Sequence, residues 1–195
     1  MDWQVLGETF LTLVVIMDPV GAAPIFLAMT PHFRPEERRR AAVRAVVAAG
    51  LLVLGFALVG RFVLDYLHVS VESLSIAGGL LLLLVALEML RGLDSSPSST
   101  DDVALVPLAT PLVAGPGAIA TVIVLVESNP DTGGRVGVVG GILLALGVVF
   151  VTLLLAERLG RVLPASLISF LTRVFGLLLS AIGVQLVVDG VRGLA

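Results

Sequence analysis

Six runs of mainly apolar residues, each about as long as the roughly 17–25 residues a helix needs to cross a bilayer, constrain this chain more than any other feature. They lie near Val5–Thr30, Ala41–Val59, Leu74–Leu90, Val103–Val126, Val136–Ala156 and Leu167–Val188. Over 195 residues, 57% are hydrophobic and only 14% charged, with a mean hydropathy of +1.09. A soluble domain carries about 45–50% apolar and about 25% charged residues, and a core of this size has no room for the excess. The expected class is an all-α polytopic membrane protein. The N-terminal residues "MDWQVLGETF" lack the basic start of a secretory signal, so they are expected to open the first helix.

Charge and cysteine usage remove several function classes. A net charge of −3 argues against a nucleic-acid partner. With no cysteine, disulfides, thiolate metal sites and thiol catalysis are excluded. The chain has no H-E-x-x-H zinc motif, P-loop or G-x-S-x-G elbow, and only Asp18 lies deep in an apolar run, whereas an intramembrane aspartyl protease needs two such residues. The expectation is therefore a non-enzyme without cofactor or metal. Lacking an ATP-binding module, it would drive uphill transport by an ion gradient or through a partner.

All twelve basic side chains are arginine. With the N-terminus outside, nine of them fall in inside loops (Arg34, Arg38, Arg39, Arg40, Arg44, Arg91, Arg158, Arg161, Arg173), and three fall outside (Arg61, Arg135, Arg192). This bias predicts that both termini face away from the cytoplasm. Between the third and fourth spans lies Asp94–Asp102, a polar segment of serine, threonine and aspartate around Pro97. It reads as a cytoplasmic connector joining residues 1–93 to residues 103–195. The segment is acidic, but acidic residues count little in orientation.

The two halves echo each other. "DPVGAAP", Asp18–Pro24, and "TPLVAGP", Thr110–Pro116, each place prolines five residues apart with small residues between, inside the first span of their half. "GLLLLLVALEMLRG" from Gly79 aligns with "GLLLSAIGVQLVVDG" from Gly176, which sets Glu88 opposite Gln185. Three spans per half make the second copy enter from the opposite side, so a 3+3 inverted-topology repeat is expected.

Proline lacks an N–H and clashes with the carbonyl one turn back, so the first and fourth spans should be discontinuous. In hydrocarbon the freed backbone groups persist only against protein or a water-lined cavity. A helix restarting inside the membrane presents N–H groups and a positive dipole end to a carboxylate. Carbonyls released before the break suit an ammonium or a cation. On this reading Pro24 and Pro116 stand near the first position of the restarted half-helices, and Gly21, Gly115 and Gly117 allow close approach of a ligand. The candidate substrate-binding set is thus Asp18, Pro19, Val20, Gly21, Ala22 and Pro24 with Thr110, Pro111, Ala114, Gly115, Pro116 and Gly117. Asp18, costing about 2.5–3.5 kcal/mol to insert near a helix centre, should face the interior. It is the candidate for the coupling ion or the substrate amine, and equally a cap for the N–H groups of Val20 or Gly21; Thr110 would cap without charge. Glu88 and Gln185 are either cavity contacts or headgroup-level residues near Arg91 and Asp189. Arg38–Arg40 and Arg44 read as topology determinants, and the glycines Gly50, Gly55, Gly60, Gly137, Gly140, Gly141 and Gly147 as helix-packing faces.

"MDPVGAAPIFLAMT" from Met17 resembles the D-P-[IV]-G-N-x-P-x-F segment of the MarC family of bacterial inner-membrane proteins. "PLATPLVAGPGAIATVIVL" from Pro107 is similar to that family's second signature, P-L-x-x-P-x-x-x-G-P-G-[AS]-I. Ala22 replaces the usual asparagine, which removes a polar side-chain contact. Ala120 stands where a hydroxyl residue is common, while Thr121 is kept. The resemblance implies an inverted three-plus-three fold related to the LysE-type exporters. It also implies a function like that of the SnatA-type transporters: secondary-active movement of small neutral amino acids of the alanine and glycine class, coupled to H+ or Na+, across the bacterial inner membrane. Thr121 joins the candidate site on this ground. The alternatives are an exporter of another small or drug-like solute, and a non-transporting membrane scaffold or regulator. Oligomeric state is left open.

Overall fold

The structure is a computed structural model. It describes residues 2–30, 32–91, 114–162 and 164–194. Among them the chain forms seven α-helices and no strand: α1 (Trp3–Met17), α2 (Pro19–Met29), α3 (Pro35–Leu67), α4 (Val71–Arg91), α5 (Pro116–Ser128), α6 (Thr132–Val162) and α7 (Ala165–Leu194). The connector Asp94–Asp102 and the first part of the fourth predicted span lie outside the described residues. Five segments among the described residues are long and apolar enough to cross a membrane: Trp3–Leu27, Pro35–Leu67, Val71–Arg91, Thr132–Arg158 and Ser166–Leu194. Gly117–Ser128 is a shorter apolar helix.

The helices outrun the apolar runs. At about 1.5 Å per residue, the 33 residues of α3 reach about 50 Å, against about 30 Å of hydrocarbon. Hydropathy marks only the part in lipid, whereas the backbone stays helical through the charged first turns. Pro35 occupies the first helical position of α3, and Glu37 accepts a 2.8 Å hydrogen bond from the Arg34 N–H, closing that end. At the other end His68 turns into the left-handed region (φ 56°), and its N–H and that of Val69 reach back to Asp65 and Leu64 carbonyls.

Small residues set the close crossings. Asp2 caps α1 by accepting from Gln4 and Val5 N–H groups, and its own N–H donates to the Gly133 carbonyl. From there α1 lies against the glycine face of α6: a side chain at Gly137 would meet the Asp2 carbonyl at 2.8 Å, and one at Gly141 the Thr9 Cβ at 2.6 Å. Gly60 takes the side chain of Ile123 from α5, and Gly50 approaches Leu146. Gly55 and Gly147 have open space where a Cβ would stand.

Helices α4 and α7 form the second tight pair and run antiparallel. Gly190 lies over the Glu72 carbonyl, Gly79 faces Gly183 and Val187, and Gly176 faces Ala86 and Met89. Leu82, Ala86 and Leu179 are buried between them, flanked by Val15 and Ile16 of α1. The larger core joins α1, α2, α3, α5 and α6 through Leu13, Met17, Phe26, Val53, Val122 and Ile142, with others.

Candidate functional site

Helix α1 ends because Asp18 leaves the helical region. Its φ of 36° and ψ of 69° are left-handed, a conformation that among residues with a Cβ is most accessible to Asp and Asn. The following proline also disfavours the α region at position 18. Pro19 then opens α2 at the position where a missing N–H costs nothing. The Asp18 carboxylate turns back to accept from the Gly21 N–H at 3.1 Å, and its carbonyl accepts from Ala22 at 2.9 Å. A Cβ on Gly21 would overlap the Asp18 carboxylate, so glycine is what lets that carboxylate sit on the helix start.

The restart therefore falls five residues earlier than the proline spacing suggests. Pro24 is inside α2, on an exposed part of its surface, and is not the first residue of the half-helix. The physical reason is that Asp18 supplies a cap, while Ala22 and Ala23 are strong helix formers that carry the helix through. Pro24 still acts on the backbone, because it has no N–H to give the Val20 carbonyl one turn back. Ala22 and Ala23 are buried, and Phe26 is fully so.

The start of α5 is built differently. Gly115 caps α5 with an extended backbone (φ −62°, ψ 163°) and brings no side chain to the helix start. Pro116 is the first helical residue, as the spacing predicts, and the Ala118 and Ile119 N–H groups both reach the Gly115 carbonyl. Gly117 lies under Leu82 of α4, whose methyl occupies the place of a Cβ. Thr121, one turn on, is buried, and its hydroxyl has no hydrogen-bond partner among the described residues; Thr9 on α1 shares that condition. Thr110 and Pro111 lie outside the described residues.

The structure brings the two breaks into one core. Met17, Ala22 and Ala23 from the first share a continuous buried cluster with Ala114, Ala118 and Val122 from the second. Glu88 and Gln185 are elsewhere, on exposed faces of α4 and α7, where Gln185 donates to both carboxylate oxygens of Asp189 at 2.9 and 2.8 Å.

One polar cluster has no counterpart in the sequence patterns. The far end of α2 is held by Thr30, fully buried, whose hydroxyl donates to the Phe26 carbonyl at 2.8 Å. Arg38, at the start of α3, donates to the Thr30 carbonyl at 3.0 Å and its hydroxyl at 3.3 Å, and pairs with Glu157 of α6 at 3.0 Å. Arg38 is thus a structural anchor between three helices as well as a charge beside a span. Its neighbours Arg39, Arg40 and Arg44 remain exposed. No local spacing signals the knot, since Glu157 lies 119 residues away. At the opposite end Arg61 of α3 pairs with Glu127 of α5 and lies near Asp65.

A broken first span with a carboxylate at its break, glycine-lined crossings and a second helix start in the same core define a polytopic helical membrane protein. The chain belongs to the MarC family: the model described as "MarC family integral membrane protein" matches residues 3–195. It is 39% identical over 206 residues to the UPF0056 membrane protein MJ1677 of Methanocaldococcus jannaschii, covering 99% of this chain and 98% of that one. Over 184 residues it is 36% identical to the UPF0056 inner membrane protein YhgN of Escherichia coli, covering 92% of each. No solved structure matches the chain.

Proposed function

We propose that this protein is a secondary-active transporter of small neutral amino acids of the alanine and glycine class, with the substrate held between the starts of α2 and α5. The observation that carries this reading is the pair of half-helices that begin inside membrane-spanning sequence and bury their first turns in one core. The start of α5, which no side chain caps, suits a substrate carboxylate. The Asp18 carboxylate and the Val20 carbonyl that Pro24 leaves without its helical donor suit the amine or a coupling H+ or Na+. Ala22 and Ala114 are small and buried in that core, so neither side chain competes for the backbone groups at the two helix starts.

The proposal includes an inverted repeat, which the helix contacts support. Helix α2 packs on α6 while α5 packs on α3, and α4 packs on α5 while α7 packs on α2, the same contacts with the halves exchanged. The alignment of Gly79 with Gly176 carries Ala86 onto Gly183 and Leu82 onto Leu179. The Gly79–Gly183 contact is then the counterpart of Gly176–Ala86, and both are present. In this proposal the protein acts as a carrier and not an enzyme, resides in the inner membrane with both termini outside, and needs no cofactor or nucleic acid.

The test is uptake of labelled alanine and glycine into proteoliposomes with and without imposed proton and sodium gradients. Gradient-dependent accumulation that is lost in Asp18→Asn is the expected result. Absence of accumulation under every gradient, with the protein folded, would remove the proposal in favour of a scaffold. Accumulation of other solutes in preference to alanine and glycine would leave a carrier with a different substrate.

A further inference from the structure

Away from the two breaks, an apolar groove of about 390 Å³ runs between α3 and α6. Gly147, with Gly50 and Leu146 beside it, lines the groove, and its walls include Val47, Leu54, Leu143 and Phe150. Gly147 faces open space, so the groove is a true notch in the membrane-facing surface. Along α3 it extends from Val43 to Leu54, about 16 Å at about 1.5 Å per residue. That is roughly half of the ~30 Å hydrocarbon core, the depth of one leaflet.

The groove's end is charged. One turn before Val43 on the same side of α3 stand Arg39 and Arg40, both exposed, with Arg44 beside them. Helix α6 runs antiparallel here, as the Gly50–Leu146 and Arg38–Glu157 contacts show, and brings exposed Arg158 to the same end. The nearby acidic groups are partly engaged: Glu157 pairs with Arg38 and Glu37 accepts from the Arg34 N–H, while Glu36 lies a further turn out. The result is a one-leaflet apolar slot ending in an excess of arginine.

We propose that this slot binds an anionic phospholipid, one acyl chain lying along Gly50 and Gly147 and the phosphate held by Arg39, Arg40 and Arg158. The slot's length matches one chain, and its charge is complementary to an anionic headgroup and not to a zwitterionic one. Guanidinium groups donate to phosphate oxygens in paired geometry, which favours arginine here.

Native mass spectrometry of the full chain, purified and exposed to equal phosphatidylglycerol and phosphatidylcholine, tests this. The expected result is retention of phosphatidylglycerol over phosphatidylcholine. Combined R39A, R40A and R158A should lower that preference roughly tenfold or more. Gly147→Leu, which fills open space without a clash, should reduce retention of either lipid while α1–α5 contacts and thermal stability persist. Equal retention of both lipids by the native chain would overturn the proposal. So would unchanged phosphatidylglycerol binding in Gly147→Leu, or a native dimer that Gly147→Leu converts to monomer, since the slot would then belong to a second copy.

Discussion

The two breaks use matched sequences to make unmatched structures. In "DPVGAAP" the helix restarts at the first proline, Pro19; in "TPLVAGP" the helix start among the described residues is at the second, Pro116. The residue before the second proline decides it. Ala23 favours helix, whereas glycine costs about 1 kcal/mol more in a helix interior, and Gly115 adopts the extended backbone that a following proline prefers. Polar capping differs as well. The first start is covered by the Asp18 carboxylate, and the second has only a glycine backbone. If the halves are an inverted repeat, they share a plan but divide the chemistry, with the charge on one side.

The sharpest way to break that division is to remove the charge and keep the cap. Asp18→Asn retains an oxygen for the Gly21 N–H, so folding should persist. A charge-assisted contact to substrate or ion is worth about 1.5–3 kcal/mol, so proteoliposome uptake should fall roughly ten- to a hundredfold. Uptake equal to the native chain would show that Asp18 is a cap alone. Asp18→Ala should add about 1 kcal/mol of destabilisation, measured by thermal unfolding in detergent.

The far ends of the half-helices come next. Arg38→Ala removes the guanidinium that ties the Thr30 carbonyl and hydroxyl to Glu157 and should cost about 1–3 kcal/mol. Arg61→Ala, which removes the more exposed of the two guanidiniums, should cost about 0–1 kcal/mol. Comparable losses would mean that the two ends are anchored alike.

Smaller effects should separate the two glycines. Gly21→Ala drives the carboxylate off the helix start and should cost about 1–2 kcal/mol, with uptake reduced. Gly117→Ala displaces a Leu82 methyl and should cost about 1 kcal/mol. The smallest change is expected from Thr121→Val. It exchanges a hydroxyl with no hydrogen-bond partner among the described residues for a methyl, so unfolding should shift by less than about 0.5 kcal/mol or move upward. A raised KM for alanine in that variant would assign the hydroxyl to the substrate.

Much of this was legible in the sequence, for reasons that also explain the misses. The place of five spans follows from hydropathy, and Pro116 at a helix start follows from Gly115 before it. The Asp18–Pro19 pair carried the signal for the first restart, since a capping residue held out of the α region by a proline is a helix boundary. Proline spacing alone obscured it. Helix ends were underestimated because Arg38–Arg44 are helical without being apolar. The Thr30–Arg38–Glu157 knot and the seat of Leu82 over Gly117 depend on three-dimensional neighbours that no local pattern encodes.

The central claim, that a small amino acid sits between the two breaks, is tested most directly by thiol labelling. The chain has no cysteine, so Ala22→Cys and Ala114→Cys each provide one reporter. Both should react with a water-soluble, membrane-impermeant reagent, and alanine or glycine should protect both. Failure of either position to label, or labelling that neither amino acid slows, would contradict a shared site.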